Sequence, residues 1–128
     1  MQFFVALRNA RLSQIATTVG ASPLLQIYTG TPPGAANAAS GTLLVSIPLP
    51  ATWTAAPANG AMALSGTWTA TAAATGTPGY FRLTNTAGST VYIEGTCGVG
   101  TGDLNFTAGI SLGGAVTVTG FTMTEGNP

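Results

Sequence analysis

The sequence predicts an all-β chain, an antiparallel sandwich or barrel preceded by one N-terminal helix, folded as a single domain over residues 1–128. Three observations predict it. Short runs rich in Val, Ile, Leu, Thr and aromatic residues are separated by Gly- and Pro-containing turns at roughly ten-residue intervals, the spacing of an all-β domain. Only one stretch carries a helical period. The clearest stretch, Gly79 to Gly98, alternates side-chain character with period two on both sides of a short turn, as a β-hairpin must.

In chain order, residues 3–19 read as the helix, because Phe4, Val5, Leu12, Ile15, Ala16 and Val19 fall within about a third of the helical wheel, and Gly20 ends it. Arg8 projects into the middle of that apolar stripe and Arg11 lies at its edge. Arg8 either snorkels to water or is fixed by carbonyls or a carboxylate, within the fold or across a subunit contact. Leu24 to Thr29 is a strand, broken by Gly30-Thr31-Pro32-Pro33-Gly34. The low-complexity residues 35–41 complete a loop of about ten residues, long enough to suggest that it makes contacts.

Thr42 to Leu49 is a second strand with Pro48 at its end or on an edge. Residues 50–60 are turn-rich around Trp53. Met62 to Thr71 alternates, with a kink or bulge at Gly66, and residues 72–78 lead into the hairpin. Past it lie a glycine-rich connection at 98–102, a short strand from Asp103 to Thr107, a second glycine-rich connection at 109–114, and a closing strand from Ala115 to Thr124. In the closing strand the apolar phase slips between Val116/Val118 and Phe121/Met123, and a bulge at Gly120 returns both pairs to one face. Periodicity leaves an immunoglobulin-like strand order and a jelly roll equally open.

The hairpin register follows from its faces. With Thr86-Ala87-Gly88 as a three-residue loop and Gly88 at positive φ, Leu83 faces Val91 and Phe81 faces Ile93. Tyr80, Arg82, Tyr92 and Glu94 then share the opposite face, with Arg82 across from Tyr92 and one diagonal step from Glu94. A two-residue loop would mix the faces.

Composition narrows the function. Three basic and three acidic residues make 5% of the chain charged with no net charge, far below an ordinary soluble surface. Such an exterior suits a protein packed against other chains, and self-association, most simply as a two-fold homodimer, is expected. Absence of lysine disfavours nucleic-acid binding through phosphates. No apolar run approaches a membrane span, and the initial apolar residues precede the arginines, the reverse of a secretory signal. With no histidine, and with Glu94, Asp103 and Glu125 on different elements, no enzymatic activity, metal or cofactor is expected. Gly100 to Asn105 offers too few charged oxygens for calcium and reads as a turn. The lone Cys97 has no basic neighbour and reads as a small buried hydrophobe. Trp53, Trp68, Tyr80 and Tyr92 read as core caps or interface anchors, with a sugar-stacking platform as the alternative.

Several strings together carry a resemblance: residues 6–12 with Ile15, residues 20–30, Ala63 to Trp68, Gly79 to Leu83, and Val116 to Asn127. The chain resembles, nearly end to end, a family of small virion proteins of tailed bacteriophages similar to capsid cement, or decoration, proteins. The resemblance implies a jelly-roll-like β-sandwich made in the host cytoplasm and seated on the outer surface of the capsid. It also implies the phage major capsid protein as partner. Arg8, Arg11, Trp53, Tyr80 and Tyr92 are the candidate interface residues. The alternative is a carbohydrate-binding or tail- or fibre-associated module of the virion.

Overall fold

The computed structural model describes residues 1–106 and 108–126. Helix α1 (Val5–Val19) is followed by β1 (Leu24–Thr29), β2 (Leu43–Pro48), β3 (Ala61–Ala63), β4 (Thr69–Thr71), β5 (Pro78–Thr84), β6 (Val91–Val99), β7 (Leu104–Phe106) and β8 (Ala115–Thr124). The chain is thus mostly sheet with one N-terminal helix. Strands join in the order β2-β1-β5-β6-β7-β8-β3, and β4 also pairs with β8. The sheet curls until its ends approach: the Ala73 N–H donates to the Leu44 carbonyl at 2.8 Å, and the Ala72 N–H to that of Gly114 at 2.8 Å. Pairing is antiparallel except between β6 and β7, so the expectation of a purely antiparallel arrangement is corrected by one parallel pair. The short strand expected from Asp103 is Leu104–Phe106, and Thr107 lies outside the described residues.

The inward face follows the period-two pattern. Leu25 and Ile27 of β1 sit beside Leu83 and Phe81 of β5, and all four are buried. Phe106 pairs with Val118 while Asn105 pairs with Gly120, which leaves Thr119 as the extra residue of the expected bulge. Val116, Val118 and Phe121 are consequently all in the core, with Met123 packed against it. Phe121 meets Phe81 edge-on at 5.8 Å and Trp68 at 5.4 Å, joining the two halves of the curl through aromatic contacts.

The central hairpin departs from the expected register by two residues. Arg82 lies directly opposite Glu94, Leu83 opposite Ile93, and Phe81 opposite Gly95. Two separate one-residue additions explain this. The turn closes between Asn85 and Thr90, whose main chains bond at 3.0 Å, because Asn85 Oδ1 accepts from the Ser89 N–H at 2.8 Å and draws that residue into the loop. A register shift beyond Leu83/Thr84 then leaves Tyr92 without a partner position on β5. Before the second addition the slip is one, so Val91 lies opposite Thr84 on the Arg82 side and the expected grouping of Val91 with Phe81 and Leu83 is corrected; past it the slip is two, and Ile93 and Glu94 keep their expected faces. Gly88 takes the expected positive φ, +75°. Gly95 is required by packing: a Cβ there would lie 2.8 Å from the Phe81 ring.

The helix docks only through its C-terminal half. Leu12 and Val19 are buried and Ile15 and Ala16 pack on the core, but Phe4 and Val5, expected in the apolar stripe, are 76% and 36% exposed. The first turns are held instead by polar bonds: Arg8 donates from Nε and Nη2 to the Glu125 carbonyl at 2.9 and 2.8 Å, and Asn9 Oδ1 accepts from the Gly60 N–H at 2.9 Å. Phe81, 1% exposed, is the contact shared by β1, β6 and β8, and Phe81→Ala is expected to destabilise the fold by ~3–5 kcal/mol in urea unfolding.

Candidate functional site

The outer face of β5 is buried as well as the inner one. Tyr80, Arg82 and Thr84 are 0%, 4% and 0% exposed; residues 31–41 cross Tyr80 and Arg82 as a strap, while the Thr84 hydroxyl bonds the Leu24 and Asn85 carbonyls. Thr96 turns its carbonyl to the Asp103 N–H and its own N–H to Asp103 Oδ2, so Tyr80/Thr96 and Arg82/Glu94 are the closer, non-hydrogen-bonded pairs of the ladder. Arg82 Nε therefore reaches Glu94 Oε2 at 2.8 Å. Arg82 Nη2 donates onward to the Asn37 and Gly34 carbonyls at 2.8 and 3.2 Å, and Glu94 Oε1 accepts from the Gly34 N–H at 2.7 Å. Further along, the Tyr80 hydroxyl donates to the Ser40 carbonyl at 2.6 Å and accepts from the Ser40 N–H at 3.0 Å, with its ring stacked on Tyr28 at 5.1 Å. The loop expected to make contacts thus makes them with its own sheet.

On the inner side, a groove of about 680 Å³ opens between α1, β6 and β8. Arg11, Leu12, Ile15, Tyr92, Ile93 and Met123 are among the residues lining it. All three carboxylates of the chain border this groove, which their positions on separate elements did not foretell. Each has a different partner: Glu94 has Arg82, Glu125 Oε1 lies 2.9 Å from Arg11 Nη2, and Asp103 Oδ2 accepts from the Thr96 N–H and hydroxyl at 3.0 and 3.1 Å. Among the described residues no cluster of His, Cys, Asp or Glu has the makings of a metal site, and no helix is long and apolar enough to cross a membrane.

Of the five candidate interface residues, the structure brings Arg11 and Tyr92 together on this groove, with side-chain exposure of 49% for Arg11 and 38% residue exposure for Tyr92. The other three make contacts within the chain. Arg8 anchors the helix to the Glu125 carbonyl, which decides between its two sequence readings. Trp53 is 2% exposed, donates from Nε1 to the Gly20 carbonyl at 3.1 Å and packs on Trp68, while Tyr80 lies under the strap. The four aromatics therefore form no common stacking platform. No protein-family model, curated protein or solved structure matches this chain.

Burial also sets the alkaline chemistry. Cys97 is buried, and desolvation pushes its thiol from 9.0 up to about 12. Burial also raises the Tyr28 hydroxyl above its ordinary 10.0; Tyr80 adds to that rise and Arg82 partly opposes it.

Two expectations follow from these environments. Glu94→Gln leaves Arg82 buried without its counter-charge and is expected to cost ~3–5 kcal/mol in urea unfolding, with faster proteolysis within residues 31–41. The Arg82→Met/Glu94→Met double variant should recover much of the lost stability. The unfolded chain releases the Cys97 proton near 9.0 while the folded chain keeps it to about 12, so stability is fully present below pH 9 and declines from there towards pH 12. Cys97→Ala should flatten that decline in pH-dependent unfolding.

Proposed function

We propose that the chain is a capsid cement protein of a tailed bacteriophage, bound to the outer surface of the expanded head and bridging neighbouring major capsid subunits. The sequence resemblance supports this reading, and the state of the charged residues is the observation that carries it. Arg8 holds the Glu125 carbonyl, Arg11 the Glu125 carboxylate and Arg82 that of Glu94, and all three of these contacts lie within the chain. Apart from the exposed Arg11 and Asp103, the exterior is rich in Thr, Ser, Ala and Gly, with exposed apolar side chains at Met1, Phe4, Leu7, Val99 and Leu112. Such a surface packs closely on a lattice without stripping water from many charges. A protein that binds only the assembled lattice stabilises it by mass action, and a self-associated form with linked sites gains further avidity.

The same reading classes the curled sheet as a jelly-roll-like sandwich. The competing module, a glycan binder on a tail or fibre, requires an exposed aromatic platform; its four candidate residues are dispersed, with Trp53, Trp68 and Tyr80 buried. The deciding experiment compares thermal and osmotic rupture of heads lacking the protein with heads to which it has been restored. Restoration is expected to raise the rupture threshold, and the protein should cosediment with expanded heads but not with free capsid subunits. Unchanged rupture, or sedimentation with tails, would overturn the proposal.

A further inference from the structure

We infer that Asn59 is a self-modification site: its side-chain amide is the electrophile for the Gly60 nitrogen, and the reaction runs when helix α1 leaves its seat. Asparagine is among the thermolabile side chains, and Asn59 is the one asparagine in the sequence followed by glycine. Glycine has no side chain to hinder the close approach that ring closure demands. Asn59 is exposed, so water reaches its amide.

The two residues form a two-residue hairpin turn. Both have positive φ, 52° and 76°, and Ala58 and Ala61 exchange main-chain bonds of 2.9 Å across it. Asparagine tolerates that conformation, which accounts for its place in the turn without any chemistry. Particular to this chain is what holds Gly60. Its N–H donates to Asn9 Oδ1 at 2.9 Å, and its carbonyl accepts from the Glu125 N–H at 2.8 Å. The Arg8 guanidinium lies so close over it that a Cβ there would collide with Nη2. Helix, turn and the end of β8 thus meet on one glycine.

To react, the Gly60 nitrogen gives up its proton to solvent and bonds to Asn59 Cγ. The side-chain nitrogen leaves as ammonia and a cyclic imide remains. Water then adds to either imide carbonyl, giving aspartate or isoaspartate, in which the main chain runs through Cβ and Cγ. Water is the sole co-reactant. While α1 is docked, Asn9 holds the Gly60 N–H and the turn fixes both backbones, so the nitrogen keeps its proton and its place. The coupling is reciprocal. Isoaspartate puts an extra methylene into the turn, which displaces Gly60 and breaks its bonds to Asn9 and Glu125 together. The first turns of α1, where Phe4 and Val5 have no apolar seat, then lose polar anchorage they depend on. One excursion of the helix is thereby written into the covalent chain and is not erased by redocking. This site is independent of the capsid reading.

Timed incubation of the whole protein at mildly alkaline pH, followed by peptide mapping and labelling with an isoaspartate methyltransferase, tests the inference. Isoaspartate should accumulate at position 59, and the native chain should convert many-fold more slowly than the same chain in urea. Asn9→Ala removes the acceptor without touching the turn and should speed native conversion by about fivefold, the equivalent of one part-buried hydrogen bond. Protein purified with isoaspartate at position 59 should lose amide-exchange protection in α1. Asn59→Asp, which adds the same charge on an unaltered main chain, should keep it. Absence of conversion at position 59 in urea would overturn the site. Equal rates in the native chain, in urea and in Asn9→Ala would overturn its control by the helix, as would native protection of α1 in the isoaspartate form.

Discussion

The buried ion pair between Arg82 and Glu94 is the constraint on which the central sheet depends. With side chains only 5% and 6% exposed, both ions have lost nearly all their water, a penalty of several kcal/mol each unless other bonds replace it. Replacement comes from the main chain of the strap: carbonyls of Gly34 and Asn37 for the guanidinium, the N–H of Gly34 for the carboxylate. The pair also selects a register. Had the hairpin closed two residues tighter, Arg82 would face the phenol ring of Tyr92 and the direct bond to Glu94 would be lost. One interaction thus fixes which residues of β5 and β6 meet and folds a glycine- and alanine-rich loop over a sheet face that would otherwise be wet.

The fold was legible wherever it rests on side-chain period. β1 begins and ends where its apolar alternation does, and the bulge beside Gly120 could be read because it shifts the phase of Val116, Val118, Phe121 and Met123. The hairpin register was not legible, because two one-residue additions restore the alternation at Ile93 and Glu94 and displace it only at Val91, beside the turn. The strap was equally hidden. Its anchoring groups are carbonyls and N–H groups of Gly34, Asn37 and Ser40, which every residue possesses, so nothing in their side chains distinguishes them.

The candidate site shows the same division. Tyr92 and Arg11 were identifiable as exposed amphipathic residues on elements with a clear period. The aromatic character that singled out Trp53 and Tyr80 served internal packing, each with its polar atom bonded to main chain. The groove was invisible in sequence because it arises from a missing length of β7, a relation among β6, β7 and β8 that no local pattern encodes. Helix periodicity likewise gave the stripe but not its seat: the curled sheet supplies apolar cover only as far as Leu12, and the turns before it project beyond.

The bond between Arg8 and the Glu125 carbonyl spans 117 residues, and that separation has a consequence during synthesis. The helix leaves the ribosome well before β8, which helps form its seat and follows it by more than ninety residues. At ordinary elongation rates the wait is on the order of ten seconds, far longer than a helix or hairpin needs to form. Throughout that interval Leu12, Ile15 and Val19 have no β8 to cover them, and β1 must likewise wait for β5. The nascent chain is therefore at its most adhesive just before β8 emerges, and in a crowded cell its yield should depend more on chaperone capacity during translation than on the stability of the finished fold.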